Sequence, residues 1–290
     1  MRVTERSRIE TLALANTRNA ERFDKAAKIA SSNQRVTKPS DDPVSYGAMV
    51  RRDYDLVMLQ TRSDTASRTQ SELEIANNAL SAGVDVMQRA QEAAVAGANG
   101  TSDANSRLLL AQDVTAMRTE LLSIGNTKYG DRYIFGGTKS STIPFDPTGQ
   151  FNGNDQQISV PVMDGVQIPG SVSGAKAFTA TGGRDIFADL QELADALTAN
   201  DPVRVSNTLK NLNTGHDQLV RAQVEAGYGT KRFEDAVNVL SNTKAVVAER
   251  ESADVNGDAA SQITDLQLAK TAYERSMAIT KQILSLQTPQ

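Results

Sequence analysis

Apolar and small residues recur at alternating intervals of three and four from Leu56 to Ala98. The series is Leu56, Leu59, Ser63, Ala66, Gln70, Leu73, Asn77, Leu80, Val84, Met87, Gln91, Ala94 and Ala98, and charged residues such as Arg62, Asp64, Arg68, Glu72 and Glu74 lie off it. A seam with this period belongs to a helix lying along other helices. Its small and polar members limit how strongly it pairs. No proline interrupts it, and a helix starting near Pro43 spans roughly 80 Å over about 55 residues. That is too long for a compact domain of 290 residues, so the pattern predicts an elongated molecule.

The same spacing recurs at both ends. Near the start it runs through Ile9, Leu12, Asn16, Asn19, Phe23, Ala26 and Ala30. With so few large apolar side chains, this helix does not offset the entropy of ordering itself and needs a partner. Its natural partner is the final helix. There Ile263, Leu266, Lys270, Tyr273, Met277, Thr280, Leu284 and Gln287 form one seam, and Leu268, Ala272, Ile279, Ile283 and Leu286 an adjacent face. Two apolar faces suit a helix that meets more than one neighbour.

Between these ends the chain is punctuated. Pro39 forces Lys38 out of the helical region, while Ser40, Asp41 or Asp42 can cap a new helix with Pro43 in its first turn; Pro39, Ser40, Asp41, Asp42 and Pro43 therefore read as a hinge. The rod closes at Asn99-Gly100, and a second helix with Leu110, Val114, Met117, Leu121 and Ile124 folds back antiparallel. From Tyr129 to Gly183 the chain turns rich in Gly and Pro. Short β-branched and aromatic runs appear there, Tyr133-Ile134-Phe135, Ile158-Ser159-Val160 and Val166-Gln167-Ile168, separated by turns such as Asp164-Gly165. This is a small β-rich insertion, too short to bury a large core of its own.

Helical pattern resumes with Ile186, Leu190, Leu193 and Leu197, closed by Asn200-Asp201-Pro202. A second long rod follows through Val205, Leu209, Leu212, Leu219, Phe233, Val237, Leu240 and Val247. Gly227 and Gly229 fall inside it, each costing about 1 kcal/mol against Ala, which predicts a bend or loosened turn but does not require a break. The segment Asp254 to Asp258 interrupts the rod before the final helix. The fold class is mainly α, with helical rods at 41–128 and 184–257, the insertion at 129–183, and a terminal coiled-coil layer of 1–40 and 258–290.

Composition supports rods over a thick core, with 39% hydrophobic and 4% aromatic residues and no Trp. The absence of Cys excludes thiol catalysis and thiolate metal sites. No apolar run reaches the length of a membrane span, and the first thirty residues hold no apolar signal region. Residues 1–38 carry nine Lys and Arg against four Asp and Glu. These positives follow the helical period with only Phe23 as an aromatic, which describes a solvated face rather than a nucleic-acid surface.

Candidate chemistry is sparse. Asp254, Asn256 and Asp258 sit at positions one, three and five of a calcium loop, but Ala259 stands where Gly is required and Asp265 where a bidentate Glu belongs. His216 is the only histidine, without a ligand cluster around it in sequence. Gly136-Gly137-Thr138-Lys139 lacks the first Gly and the following helix of a phosphate loop. No catalytic, cofactor-binding or metal residue is assigned, and the chain does not read as an enzyme.

Several stretches, taken in order, resemble the bacterial flagellin superfamily, and within it the hook-associated branch beside the filament. They are Met1-Arg2-Val3-Thr4, Arg35 through Val44, Ala96-Gly97-Ala98-Asn99-Gly100-Thr101, Asn126-Thr127-Lys128 with Tyr133-Ile134-Phe135-Gly136-Gly137-Thr138, and Ala272-Tyr273 through Ile283-Leu284-Ser285-Leu286. The resemblance implies a structural protein of the flagellum that joins hook to filament. It implies self-association in a tubular ring through the terminal helices and contact with a neighbouring hook-associated protein and with flagellin. It also implies unfolded export by the flagellar type III apparatus without a cleaved signal, with a cytosolic chaperone on the C-terminal region, and no nucleic acid, membrane or cofactor. A filament-forming flagellin and a cytosolic coiled-coil scaffold or signalling protein are the alternatives.

Overall fold

A computed structural model describes residues 2–287, and their side chains apart from those of residues 2–6, Arg8, Leu284, Leu286 and Gln287. The protein is mainly α. In order come α1 (Arg2–Ser32), α2 (Pro43–Ala98), α3 (Ala104–Gly125), β1 (Lys128–Tyr129), β2 (Arg132–Tyr133), β3 (Ser159–Met163), β4 (Val166–Pro169), α4 (Gly174–Phe178), a 3₁₀ turn (Ala180–Gly182), α5 (Ile186–Thr198), α6 (Pro202–Val255) and α7 (Ala259–Gln287). The strands form two separate antiparallel hairpins, β1 with β2 and β3 with β4. No helix among the described residues is long and apolar enough to cross a membrane.

Two compact units emerge, one of residues 1–58 and 243–290, the other of residues 59–242. The first therefore takes in the start of α2 and the end of α6, which the sequence pattern assigned to the rods.

The second unit holds the core. Along α2, Ala66, Leu73, Leu80, Met87 and Ala94 are buried, as the seam predicts. The intervening layer is offset by one residue. Thr69, Ala76, Gly83, Ala90 and Gly97 are buried, whereas Gln70, Asn77, Val84, Gln91 and Ala98 are only half-buried. The smaller residue of each neighbouring pair faces inward because helices approach closely there. A Cβ on Gly83 would lie 3.4 Å from Leu121 of α3 and 3.5 Å from Leu219 of α6.

The insertion shares this core. Phe145 packs against Phe178 at 5.3 Å, Phe151 at 5.1 Å and Phe187 of α5 at 5.0 Å between ring centroids. Asn126, just past α3, clamps the Phe145 backbone, accepting from its N–H at 2.9 Å and donating to its carbonyl at 2.8 Å. Gln218 of α6 is buried and ties the end of the insertion down. Its amide donates to the carbonyls of Ala177, Thr179 and Arg184 and accepts from the Arg184 N–H. Arg107, also buried, donates to the carbonyls of Gly97 and Asn99 and to the Asn200 side chain, joining the α2–α3 turn to the α5–α6 turn.

One expectation differs from the structure. Of Tyr133-Ile134-Phe135 only Tyr133 lies in a strand, and Phe135 turns inward to complete burial beside Phe178. Helix α6 runs through Gly227 and Gly229 without a break. Gly229 serves packing, since a Cβ there would stand 3.0 Å from Leu73.

Glycines sort by what surrounds them. Gly174 lies against the Phe135 carbonyl, which a Cβ would meet at 2.2 Å, while Gly47 in α2 has nothing within 4 Å. Gly174→Ala will lower the unfolding midpoint, with an overpacking cost of at least about 1–3 kcal/mol. Gly47→Ala will raise it through about 1 kcal/mol of helix propensity. Thermal unfolding followed by circular dichroism checks both signs.

Candidate assembly interface

In the first unit α1 and α7 pair along their length, and the pairing is thin. Leu12, Asn16, Asn19, Phe23 and Ala26 are half-buried, in the spacing the sequence predicts, and Ile9 is exposed. Phe23 stacks on Tyr273 with centroids 5.9 Å apart and planes 7° from parallel. Asn16 donates through Nδ2 to Thr280 Oγ1 at 2.7 Å, so one seam asparagine makes a specific interhelical bond. No side chain of α1 whose exposure is described is fully buried.

On α7 the face turned inward is Gln262, Leu266, Ala269, Tyr273, Ser276, Thr280 and Ile283. The one-residue offset seen in α2 returns here. Ile263 and Met277, expected on the seam, are 54% and 48% exposed, and Ile279 is 51% exposed on the adjacent face with Leu268 at 65%. The side chains of Leu284 and Leu286, also assigned to the seam, lie outside the described ones. One side of α7 is therefore used against α1, and exposed apolar residues flank it on both sides, Ile263 and Met277 on one and Leu268 and Ile279 on the other.

The connection between α1 and α2 folds into a closed clasp around the α6–α7 turn. Residue Arg35 donates its backbone N–H to the Val255 carbonyl at 2.8 Å, and Gly257 donates to the Asn33 carbonyl at 3.4 Å. The Arg35 guanidinium reaches Asp42 at 3.1 Å, Ser45 at 3.2 Å and the Asp254 carbonyl at 3.2 Å. From α2, Arg52 pairs with the Asp254 carboxylate and donates to the Arg250 carbonyl. Val36 and Val255 are buried beneath these contacts.

Within the clasp Asp42 is the cap of α2. Its Oδ1 accepts from the N–H groups of Val44 and Ser45, with Pro43 in the first turn. Asp41 instead accepts from the Thr37 N–H and hydroxyl and pairs with Lys25 of α1 at 3.2 Å. The segment Pro39 to Pro43 is thus a hydrogen-bonded turn tied to both α1 and α2. Nothing in the spacing of Arg35, Arg52 and Asp254 revealed this, since they meet only when α6 returns beside α2.

The calcium-like segment has other duties in the fold. Asp254 pairs with Arg52, Asn256 donates to Ser252 at 2.7 Å, and Asp258 caps α7 through the Ser261 N–H. Histidine 216 is half-buried, with Nδ1 3.5 Å from Asp217.

Residues 8–140, which hold most of α1, the Pro39 to Pro43 turn, α2, α3 and the first hairpin, match the bacterial flagellin N-terminal helical region. The chain resembles that helical region over just under half of its length. It is homologous to flagellar hook-associated protein 3 of Salmonella typhimurium, 28% identical over 188 residues, which is 62% of this chain and 57% of that protein. The same protein of Escherichia coli is 34% identical over 132 residues, 44% of this chain and 41% of that one. The chain thus spans about half the length of these curated relatives. In fold it is similar to the flagellar junction protein FlgL of Legionella pneumophila, with a TM-score of 0.56 and 16% identity over 72% of this chain and 99% of that one.

The clasp has an acid limit. The Ser45 hydroxyl, then the Ser45 N–H and the Arg35 guanidinium, lower the Asp42 carboxyl to about 2 from an ordinary 3.8. At Asp41 burial pushes upward, but the bonds from Lys25 and Thr37 win and lower it. A depressed folded-state pKa adds stability that is complete above the unfolded value and disappears as pH falls through the folded one. Glu251 works oppositely, raised first by burial and then by neighbouring Asp53. Hydrogen exchange at the Val44 and Ser45 amides will therefore accelerate, beyond its intrinsic pH dependence, as pH falls from about 4 to about 2. In Asp42→Ala it will already be fast at neutral pH, with no further acid step.

Proposed function

We propose that this protein is a structural component of the bacterial flagellum that joins the hook to the filament, and that it assembles through α1 and α7. The observation that carries the reading is the pair of open flanks of α7, with Ile263 and Met277 exposed on one and Leu268 and Ile279 on the other, while the α1 side is mostly only half-buried. A helix pair so lightly packed gains most of its burial from neighbours, so folding of this layer is coupled to association. The homology to flagellar hook-associated protein 3 supports the same role.

In this reading the subunits form a tubular ring, flanked on one side by another hook-associated protein and on the other by flagellin. The chain is exported unfolded through the flagellar type III apparatus without a cleaved signal, and a cytosolic chaperone covers the α7 region beforehand. The loosely packed terminal pair serves that route, because it is easily kept open for threading. The clasp at Arg35, Asp42, Asp254 and Arg52 then fixes how the pair leaves α2 and α6 within its unit. The homologues it resembles are structural flagellar proteins, and the chemistry of this chain is that of packing rather than catalysis.

Removing the gene will cause cells to shed unpolymerised flagellin into the medium. Met277→Asp and Ile279→Asp, both on exposed positions, will change the stability of the isolated chain by no more than about 0.5 kcal/mol yet keep it out of isolated flagella. Normal incorporation of the double variant would contradict the role given to α7. Long filaments grown by the purified chain alone would mark a filament flagellin, and an intact chain retained in the cytosol when export works would mark a cytosolic scaffold.

A further inference from the structure

The second unit carries two exposed patches whose unpaired charges differ in sign, arginines on one and a carboxylate on the other. On α6, Val224 and Tyr228 are 50% and 71% exposed. They border, with Pro169, Arg221, Arg232 and Glu225, whose carboxylate accepts from Gln157, an open groove of about 310 Å³ beside the end of β4. Among the described residues neither guanidinium lies within 4.0 Å of a carboxylate. On α3, Leu109 is 63% exposed and Asp113, one turn on, is exposed and meets no cation. Val95 and Glu92 of α2 are exposed at a similar level.

We infer that the Tyr228 groove of one copy receives the Leu109–Asp113 face of a second copy. Each patch offers what the other lacks, since Tyr228 and Val224 meet an aliphatic side chain while Arg221 and Arg232 meet a carboxylate. Tyrosine and arginine are the residue types that anchor such contacts. Because the two surfaces differ, the contact is heterologous, and every copy uses both its groove and its face. They also sit at different levels of α2. Gly229 packs beside Leu73, whereas Arg107 bonds the Gly97 carbonyl, and 24 residues of helix correspond to roughly 35 Å. The groove and the face of one copy therefore lie well apart, so one copy can use both at once. This inference rests on the assembly reading above.

The chain has no cysteine, which makes a thiol pair unambiguous. Val224→Cys and Gln112→Cys, placed together in the chain, will be treated with a short bis-maleimide in flagella isolated from cells making only that variant. Adducts of two, three and more copies are expected, with none from either single variant. Arg232→Asp added to the pair will reduce them at least tenfold, and Asp113→Arg in the same chain will restore them. A chain present in flagella that gives no adducts, adducts that stop at two copies, or adducts indifferent to Arg232→Asp overturn this contact alone. Absence of the chain from the flagella overturns the proposed function with it.

Discussion

The contact on which the structure depends is the pairing of α1 with α7, and its weakness matters as much as its existence. One stacked ring pair, Phe23 on Tyr273, and one interhelical hydrogen bond, Asn16 to Thr280, give it register. Around them the seam is half-buried and studded with small or polar side chains. An asparagine at such a position selects one alignment at a cost in stability. The outcome is a specified but marginal pair, which suits the proposed role of a subunit threaded as an open chain and finished only among its copies.

Against that weak layer stands a firm one. In the second unit small residues on α2 face α3 and α6, five phenylalanines share one cluster, Gln218 bonds only backbone groups, and Arg107 bonds two backbone carbonyls and the Asn200 side chain. The contrast is one of packing density, and it places order where it survives without partners. Charged groups do different work in the two layers. In the first they tie the α1–α2 connection to the α6–α7 turn, with Arg35 bridging a helix cap and a carbonyl that lie 212 residues apart in sequence.

Much of this was legible in the residues. The period of three and four located α2, α6 and α7, and Asn200-Asp201-Pro202 and Asp164-Gly165 marked real turns. The helix faces were legible only to within one residue. Choosing the larger member of each pair picked Gln70 over Thr69, Asn77 over Ala76 and Met277 over Ser276, whereas close helix approach selects the smaller. The clasp was hidden for a different reason. Arg35, Arg52 and Asp254 carry no local signature, and their meeting is a property of the whole topology. Asn126 was visible as part of a motif, but its clamp on Phe145 depended on where the insertion returns.

The central claim is that α1 and α7 become solid only within the assembly. Hydrogen exchange on the full chain, free in dilute solution and then in isolated flagella, tests this most directly. The account predicts weak protection of the amides of α1 and α7 in the free chain beside strong protection in α2, α3 and α6, with the terminal amides rising to a comparable level once assembled. Strong, cooperative protection of α1 and α7 in the free monomer, unchanged on assembly, would contradict it.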